Sequence, residues 1–159
     1  MKITIIAVGK VKEKFYRDAI NEYAKRLSKY CKFEVIEVAD EKTPDKCSET
    51  EENQILLKES ERILKHVRPE MLVYALAIKG KKFDSVEFSN EINKAGLTGN
   101  SSLAFIIGGS LGLHGNVLKR ADRQISFSDM TFPHQLMRVI LSEQVYRAFR
   151  IIAAEPYHK

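Results

Sequence analysis

Three stretches of the chain, Lys2 to Gly9 (KITIIAVG), Met71 to Ile78 (MLVYALAI) and Leu103 to Ile107 (LAFII), are almost unbroken in apolar character. A strand of that kind has no face to give to water and needs cover on both sides, the situation of an interior strand in a parallel sheet. Between these runs lie helical patterns. In Val11 to Tyr30 the residues Phe15, Ala19, Ile20, Tyr23, Leu27 and Tyr30 recur at helical spacing and are expected on one inward face. Lys32 to Val38 (KFEVIEV) alternates polar and apolar residues, which places it near a sheet edge.

Local signals mark the remaining elements. Ser48 and Glu51 have the S-x-x-E spacing of a capping box. They predict a helix running to about Val67, with Ile55, Leu56, Ile63, Leu64 and Val67 turned inward. The stretch with Thr43-Pro44 before it reads as an exposed loop. Asp84 with Glu87 opens a helix to about Ala95, and Gly96 is expected to stop it. A short helix at Asn116 to Ala121, a strand at Gln124 to Phe127 and a long helix from Pro133 to about Ala153 complete the pattern. Strands alternating with helices imply an α/β fold, a mostly parallel sheet with helices on both faces. A chain of 159 residues with no internal repeat or linker fits one domain, residues 1 to 159.

The long helix carries two apolar sets. Met137, Ile140, Leu141, Gln144, Val145, Ala148, Ile151 and Ile152 form one stripe, apolar but for Gln144, and Leu136, Val139, Tyr146 and Phe149 form another. A helix apolar over most of its circumference needs cover on more than one side. A second subunit supplies it naturally; the alternative is burial within the monomer.

Composition excludes several classes. With 44% apolar and 30% charged residues the chain is neither disordered nor membranous. No apolar run has the length of a membrane span, and the N-terminus reads as a first strand rather than a signal peptide, so a cytoplasmic protein is expected. Cys31 and Cys47 belong to no CxxC pair and are read as free thiols. The four histidines have no metal-ligand spacing, so no metal is expected. The net charge is +5, yet residues 39 to 63 hold eight acids and four bases, which leaves +9 for the rest. That asymmetry suits a surface turned to a polyanion such as RNA, and equally an ordinary solvated basic surface.

Chemistry concentrates in the last third. Four of the eight glycines lie between Gly108 and Gly115, directly after the Leu103 to Ile107 run. Ligands in open α/β sheets sit beyond the carboxyl ends of strands, and glycine lets backbone approach them closely. The loop is neither a P-loop nor a dinucleotide fingerprint, because no glycine is followed by Lys and Ser/Thr at the required spacing and Ser110 stands where the second fingerprint glycine belongs. A second loop, Phe127 to Phe132, mixes aromatic and thioether groups with small polar ones and is suited to wrapping a flat heterocycle. Asp129 in it either binds a cationic ligand group or braces the turn. The tail Glu155-Pro156-Tyr157-His158-Lys159 offers a ring on which a base can stack and a cation for phosphate, against the default of a frayed end.

Taken together, IIGGSxG at Ile106 to Gly112, the stretch from Ser126 to Phe132 with Pro133-His134, Val145-Tyr146-Arg147-Ala148, the terminal Pro156-Tyr157-His158 and the N-terminal KITIIAVGK resemble the 23S rRNA pseudouridine N3-methyltransferase family of the SPOUT class. The resemblance spans Met1 to Lys159. It implies a SPOUT-type α/β fold with a C-terminal trefoil knot, a homodimer, and S-adenosylmethionine bound in the knot. It places the cofactor at Leu76, at Gly108, and at Phe127, Ser128, Asp129, Met130, Thr131 and Phe132, where arginine at Gly108 is expected to fill the pocket. His134, Arg147, Tyr157 and His158 match positions near methyl transfer, with His158, His134 or Asp129 as the proton acceptor. The implied substrate is 23S rRNA within the assembled ribosome. The alternatives are a SPOUT enzyme acting on tRNA or a ribose 2′-hydroxyl, and a non-catalytic RNA-binding protein.

Overall fold

The computed structural model describes residues 1–159. Five strands, β1 (Lys2–Val8), β2 (Lys32–Val38), β3 (Leu72–Lys82), β4 (Ser102–Ile107) and β5 (Arg123–Ser126), form one sheet in the order β2-β1-β4-β3-β5. Every pairing is parallel. The alternating KFEVIEV segment is the edge strand β2, and the continuous apolar runs are interior strands.

Period-two alternation sorts the interior strands onto two cores. Ile3, Ile5 and Ala7 of β1 join Leu103, Phe105 and Ile107 of β4 on one face, while Ile6, Val8, Ala104 and Ile106 point to the other. The first core is covered by α1 (Lys14–Leu27), α3 (Ser85–Leu97) and α5 (His134–Ile152), the second by α2 (Glu49–Leu64) and α4 (Gly115–Arg120). Each Ile, Leu, Val or Phe among them, fully withdrawn from water, contributes about 1.5–3 kcal/mol.

Caps behave largely as their sequences dictate. Asp84 and Glu87 form both bonds of the capping box, whereas Ser48 supplies only the serine half, accepting from the Glu51 amide at 3.2 Å. Two expectations are corrected. Gly96 lies inside α3, which ends at Leu97 with Thr98 as its cap; the chain then turns away at Gly99, whose φ of +89° is the left-handed conformation that glycine adopts without penalty. Phe15 is 62% exposed, because as the second residue of α1 it borders an open groove beside Pro133 and His134 rather than the core.

Strand β3 runs four residues past its apolar stretch. Leu76 pairs with Ile125, the chain bulges, and Lys81 pairs with Ile125 again. Gly80 makes the return possible, since a Cβ there would lie 2.6 Å from the Ile125 backbone. The bulge frees Ala77 and Ile78 from the ladder at the carboxyl edge of the sheet.

Helix α5 is clamped between α1 and α3. Tyr146 and Phe149, for which a partner subunit and burial within the monomer were the two possible covers, are buried within the monomer by α1 and the turn after it: Tyr30 stacks on Phe149 at 5.8 Å and Tyr23 lies 6.2 Å from Tyr146. Arg138, one turn after His134 on α5, has no exposure at all. Its guanidinium donates to Glu37 and to the Val8 carbonyl, both at 2.7 Å, and so ties the start of α5 to the carboxyl ends of β1 and β2. Arg138 is the buried half of this pair, while Glu37 remains 36% exposed, so it is loss of Glu37 that would leave an uncompensated charge inside the fold. Both cysteines are unbonded, and burial pushes the Cys31 thiol up to about 11.

Candidate active site

The carboxyl ends of β3, β4 and β5 open onto one cavity of about 230 Å³. Its first wall is Leu76 to Ile78, its second Ile107 to Ser110 with Gly112, and its third Ile125 to Ser128 with Met130 to Phe132. His134 and Met137, from the first turn of α5, close the fourth side. Three loops remote in sequence thus meet because β3, β4 and β5 are neighbours in a parallel sheet, so that all their carboxyl ends share one edge.

Each loop is shaped by its own bonds. The Gly112 amide donates to the Gly109 carbonyl at 3.1 Å, and Gly112 sits at φ +85°. That turn folds back so closely that a Cβ on Gly108 would stand 2.4 Å from the Gly112 carbonyl oxygen. Glycine at 108 is therefore required by the loop's own backbone, before any ligand is considered; arginine there would meet main chain first. In the third loop Ser126 donates to the Ser128 carbonyl at 3.1 Å, and Ser128 accepts from the Met130 amide at 3.0 Å.

Of the cofactor residues expected from sequence, Leu76, Gly108, Phe127, Ser128, Met130, Thr131 and Phe132 line this cavity. Asp129 does not: its side chain is 80% exposed and pairs with Lys82 at the end of β3, so it braces the loop. Ala77, Ile78, Ile107, Gly109, Ser110 and Met137 are wall residues that sequence reasoning left out. Ser110 and Gly109 lay within the glycine-rich signal; Ile78 did not, because its release from the ladder depends on the β3 bulge.

The other expected catalytic residues assemble elsewhere. On the last turns of α5 and the tail, Glu143 accepts from Arg147 at 2.5 Å and from the Tyr157 hydroxyl at 3.0 Å. Arg147 also lies over the Tyr157 ring at 4.7 Å and contacts His158 Nδ1 at 3.2 Å. A guanidinium can only donate, so Nδ1 is the acceptor and the neutral imidazole carries its proton on Nε2. Burial pushes the Tyr157 phenol up to about 12, with the Glu143 carboxylate adding to the effect. The tail is held, not frayed. Glu155 accepts from Tyr30, from Lys29 at 2.9 Å and from Arg150 at 2.5 Å, and Arg150 also donates to the Pro156 carbonyl at 2.8 Å. Hydrogen bonding from Tyr30, then from Lys29, lowers the Glu155 carboxyl below its ordinary value. Sequence spacing shows Glu143 only as an i,i+4 partner of Arg147; that Tyr157 joins it, and that Glu155 gathers Lys29, Tyr30 and Arg150, depends on the tail folding back on the helix and on the end of α1.

His134 and Arg147 belong to one helix but are separated by thirteen residues, about 20 Å at 1.5 Å per residue. Within one chain the cavity and the Arg147–Tyr157–His158 cluster therefore stand at opposite ends of α5. No group of three or more His, Cys, Asp or Glu residues is placed to hold a metal ion, and no helix is long and apolar enough to cross a membrane.

Residues 1–158 match a family described as "Predicted SPOUT methyltransferase". Over all 159 residues, and over the whole of each relative, the chain is 63% identical to "Ribosomal RNA large subunit methyltransferase H" of Clostridium botulinum (strain Kyoto / Type A2) and 62% identical to the protein of the same name from Bifidobacterium adolescentis. Its fold is similar to that of a probable methyltransferase from Bordetella pertussis Tohama I (TM-score 0.55, 13% identity, 92% of this chain and 93% of that one). A probable methylase family protein from Haemophilus influenzae Rd KW20 is also similar (TM-score 0.51, 13% identity, 99% of this chain and 70% of that one).

Proposed function

Because the chain belongs to the SPOUT methyltransferase family, we propose that it is a cytoplasmic, S-adenosylmethionine-dependent enzyme that methylates N3 of a pseudouridine in 23S rRNA on the assembled ribosome. The observation that carries this reading is full-length identity of 63% to a relative named for ribosomal RNA methylation. The cavity fits the cofactor. It combines Phe127, Phe132 and Met130 with backbone turns at Gly108 and Ser126 to Ser128, an apolar wrap with polar edges suited to an adenine and its ribose. The proposal includes the family's trefoil knot from β4 onward, which a path from edge strand β5 back to α5 accommodates.

When bound, S-adenosylmethionine supplies a methyl group made electrophilic by its sulfonium. The chain has two further tasks. It must hold the pyrimidine in line, which positioning can make worth several kcal/mol, and it must let the N3 proton leave as the N–C bond forms. His158, with Nδ1 engaged by Arg147, retains Nε2–H as a donor for a pyrimidine carbonyl oxygen. Arg147 offers its charge to the same developing anion. Asp129 is occupied by Lys82, which leaves His134, in the cavity wall, as the residue to take the proton.

The separation of the two clusters along α5 supports a homodimer in which the tail of one subunit serves the cavity of the other. The deciding experiment is methyl transfer from labelled S-adenosylmethionine to ribosomes lacking the modification, beside free rRNA and tRNA. Labelling of ribosomes at N3 is expected; labelling of tRNA or of a ribose hydroxyl would assign another SPOUT substrate, and absence of cofactor binding by calorimetry would end the enzyme reading.

A further inference from the structure

Phe15 is an anomaly in a chain that buries most of its large apolar groups. It is 62% exposed and forms a tilted pair with Tyr16, centroid to centroid 4.4 Å. Phe15 and Tyr16 line a groove with Glu13, Pro133, His134 and Gln135. His134 thus stands in two walls at once, that of the groove and that of the methyl-donor cavity. The approach is fixed by backbone bonds, the Lys12 amide donating to the Gln135 side chain at 3.0 Å and the Val11 amide to Glu37 at 2.7 Å.

The surroundings are cationic. Lys10, Lys12, Lys14 and Arg17 are exposed in the same segment, and of these Lys14 alone is paired, with Asp18 at 2.6 Å. Glu13 is the one carboxylate in the groove. An exposed aromatic face with unpaired cations within five residues of it along the chain is the chemistry that single-stranded nucleic acid recognises, stacking for the base and charge for the phosphates. A hydrophobic partner surface would have no use for the lysines.

We propose that Phe15, with Tyr16 behind it, is the stacking platform for an unpaired rRNA nucleotide adjoining the target, and that Lys10, Lys12 and Arg17 hold the phosphates on either side. Since His134 is shared, a base on Phe15 positions its neighbour at the cavity mouth. This rests on the rRNA methyltransferase reading and names the surface that reading requires.

The test compares Phe15→Leu, which keeps apolar bulk but removes the π-face, with Phe15→Tyr, which keeps the face. Transfer kinetics are measured on unmodified ribosomes, with cofactor calorimetry and light scattering as controls. Loss of one stacked base is expected to raise the ribosome KM about tenfold in Phe15→Leu, with cofactor affinity and mass unchanged and Phe15→Tyr close to the parent. Lys10→Ala with Lys12→Ala should flatten the salt dependence of KM. An unchanged KM in Phe15→Leu overturns the proposal. So does a change of oligomeric state in that variant, which would assign the groove to a second copy of the chain. Should the parent protein fail to methylate ribosomes at all, the function above falls, and the platform is then judged by anisotropy of a labelled single-stranded oligoribonucleotide, equal binding by parent and Phe15→Leu refuting it.

Discussion

The two ends of α5 are built on different principles. At the His134 end the cavity is made of main chain: three strand ends, a turn so tight that a Cβ on Gly108 would strike the Gly112 carbonyl, and a bulge that closes on Gly80. At the Arg147 end the cluster is made of side chains joined by charge, with Glu143 and Glu155 as its hubs. A backbone cradle comes preformed with the sheet and is rigid. A charge-linked cluster on the surface stays responsive to pH and salt and becomes a site only when something is placed against it.

The sharpest way to break this contrast is Gly108→Ala. One methyl group would collide with main chain that cannot yield cheaply, so S-adenosylmethionine affinity is expected to fall about a hundredfold or more. Near-normal binding by calorimetry would show that the turn is soft and the cradle is not preformed.

At the opposite end, Glu143→Gln removes the anion shared by Arg147 and Tyr157 while leaving the cavity wall untouched. Single-turnover transfer should slow by about tenfold or more, the loss of charge-assisted bonds worth roughly 1.5–3 kcal/mol, with cofactor binding within about twofold of the parent. Weakened cofactor binding would instead mean that the two ends are coupled.

The pH response should separate the ends further. Tyr30 and Lys29 hold Glu155 below its ordinary value of 4.5. A lowered carboxyl contributes stability that is complete above the ordinary value and is lost as pH falls through the lower folded one. Acidification below 4.5 should therefore release the tail first, read as faster amide exchange at Tyr157 and His158, and Glu155→Gln should abolish the transition.

The smallest expected effect concerns how the clamp bends the chain. Ala154 lies at φ +54°, a left-handed conformation that costs a non-glycine residue about 1–2 kcal/mol. Ala154→Gly relieves it but adds freedom to the unfolded chain, so a rise in Tm of no more than about 2–4 °C is expected, with transfer unchanged. A fall in transfer would show that the strained residue itself aims the tail.

What the amino-acid order determined alone was everything carried by local periodicity. The β-branched runs of β1, β3 and β4, the alternation of β2 and the capping box at Asp84 specify their elements without reference to the rest of the chain. The glycine-rich loop and the Phe127 to Phe132 loop pointed to the cavity for the same reason, since unusual residues mark unusual backbone. Tertiary structure decided what depends on residues far apart in the chain. That Arg138 is buried against Glu37 and Val8 and that Asp129 braces Lys82 follow from which strand ends lie side by side, and that Phe15 faces water follows from where α1 packs. Helical spacing fixes the angle at which a side chain leaves its helix, but whether a neighbour waits there depends on sheet order, which no local pattern encodes.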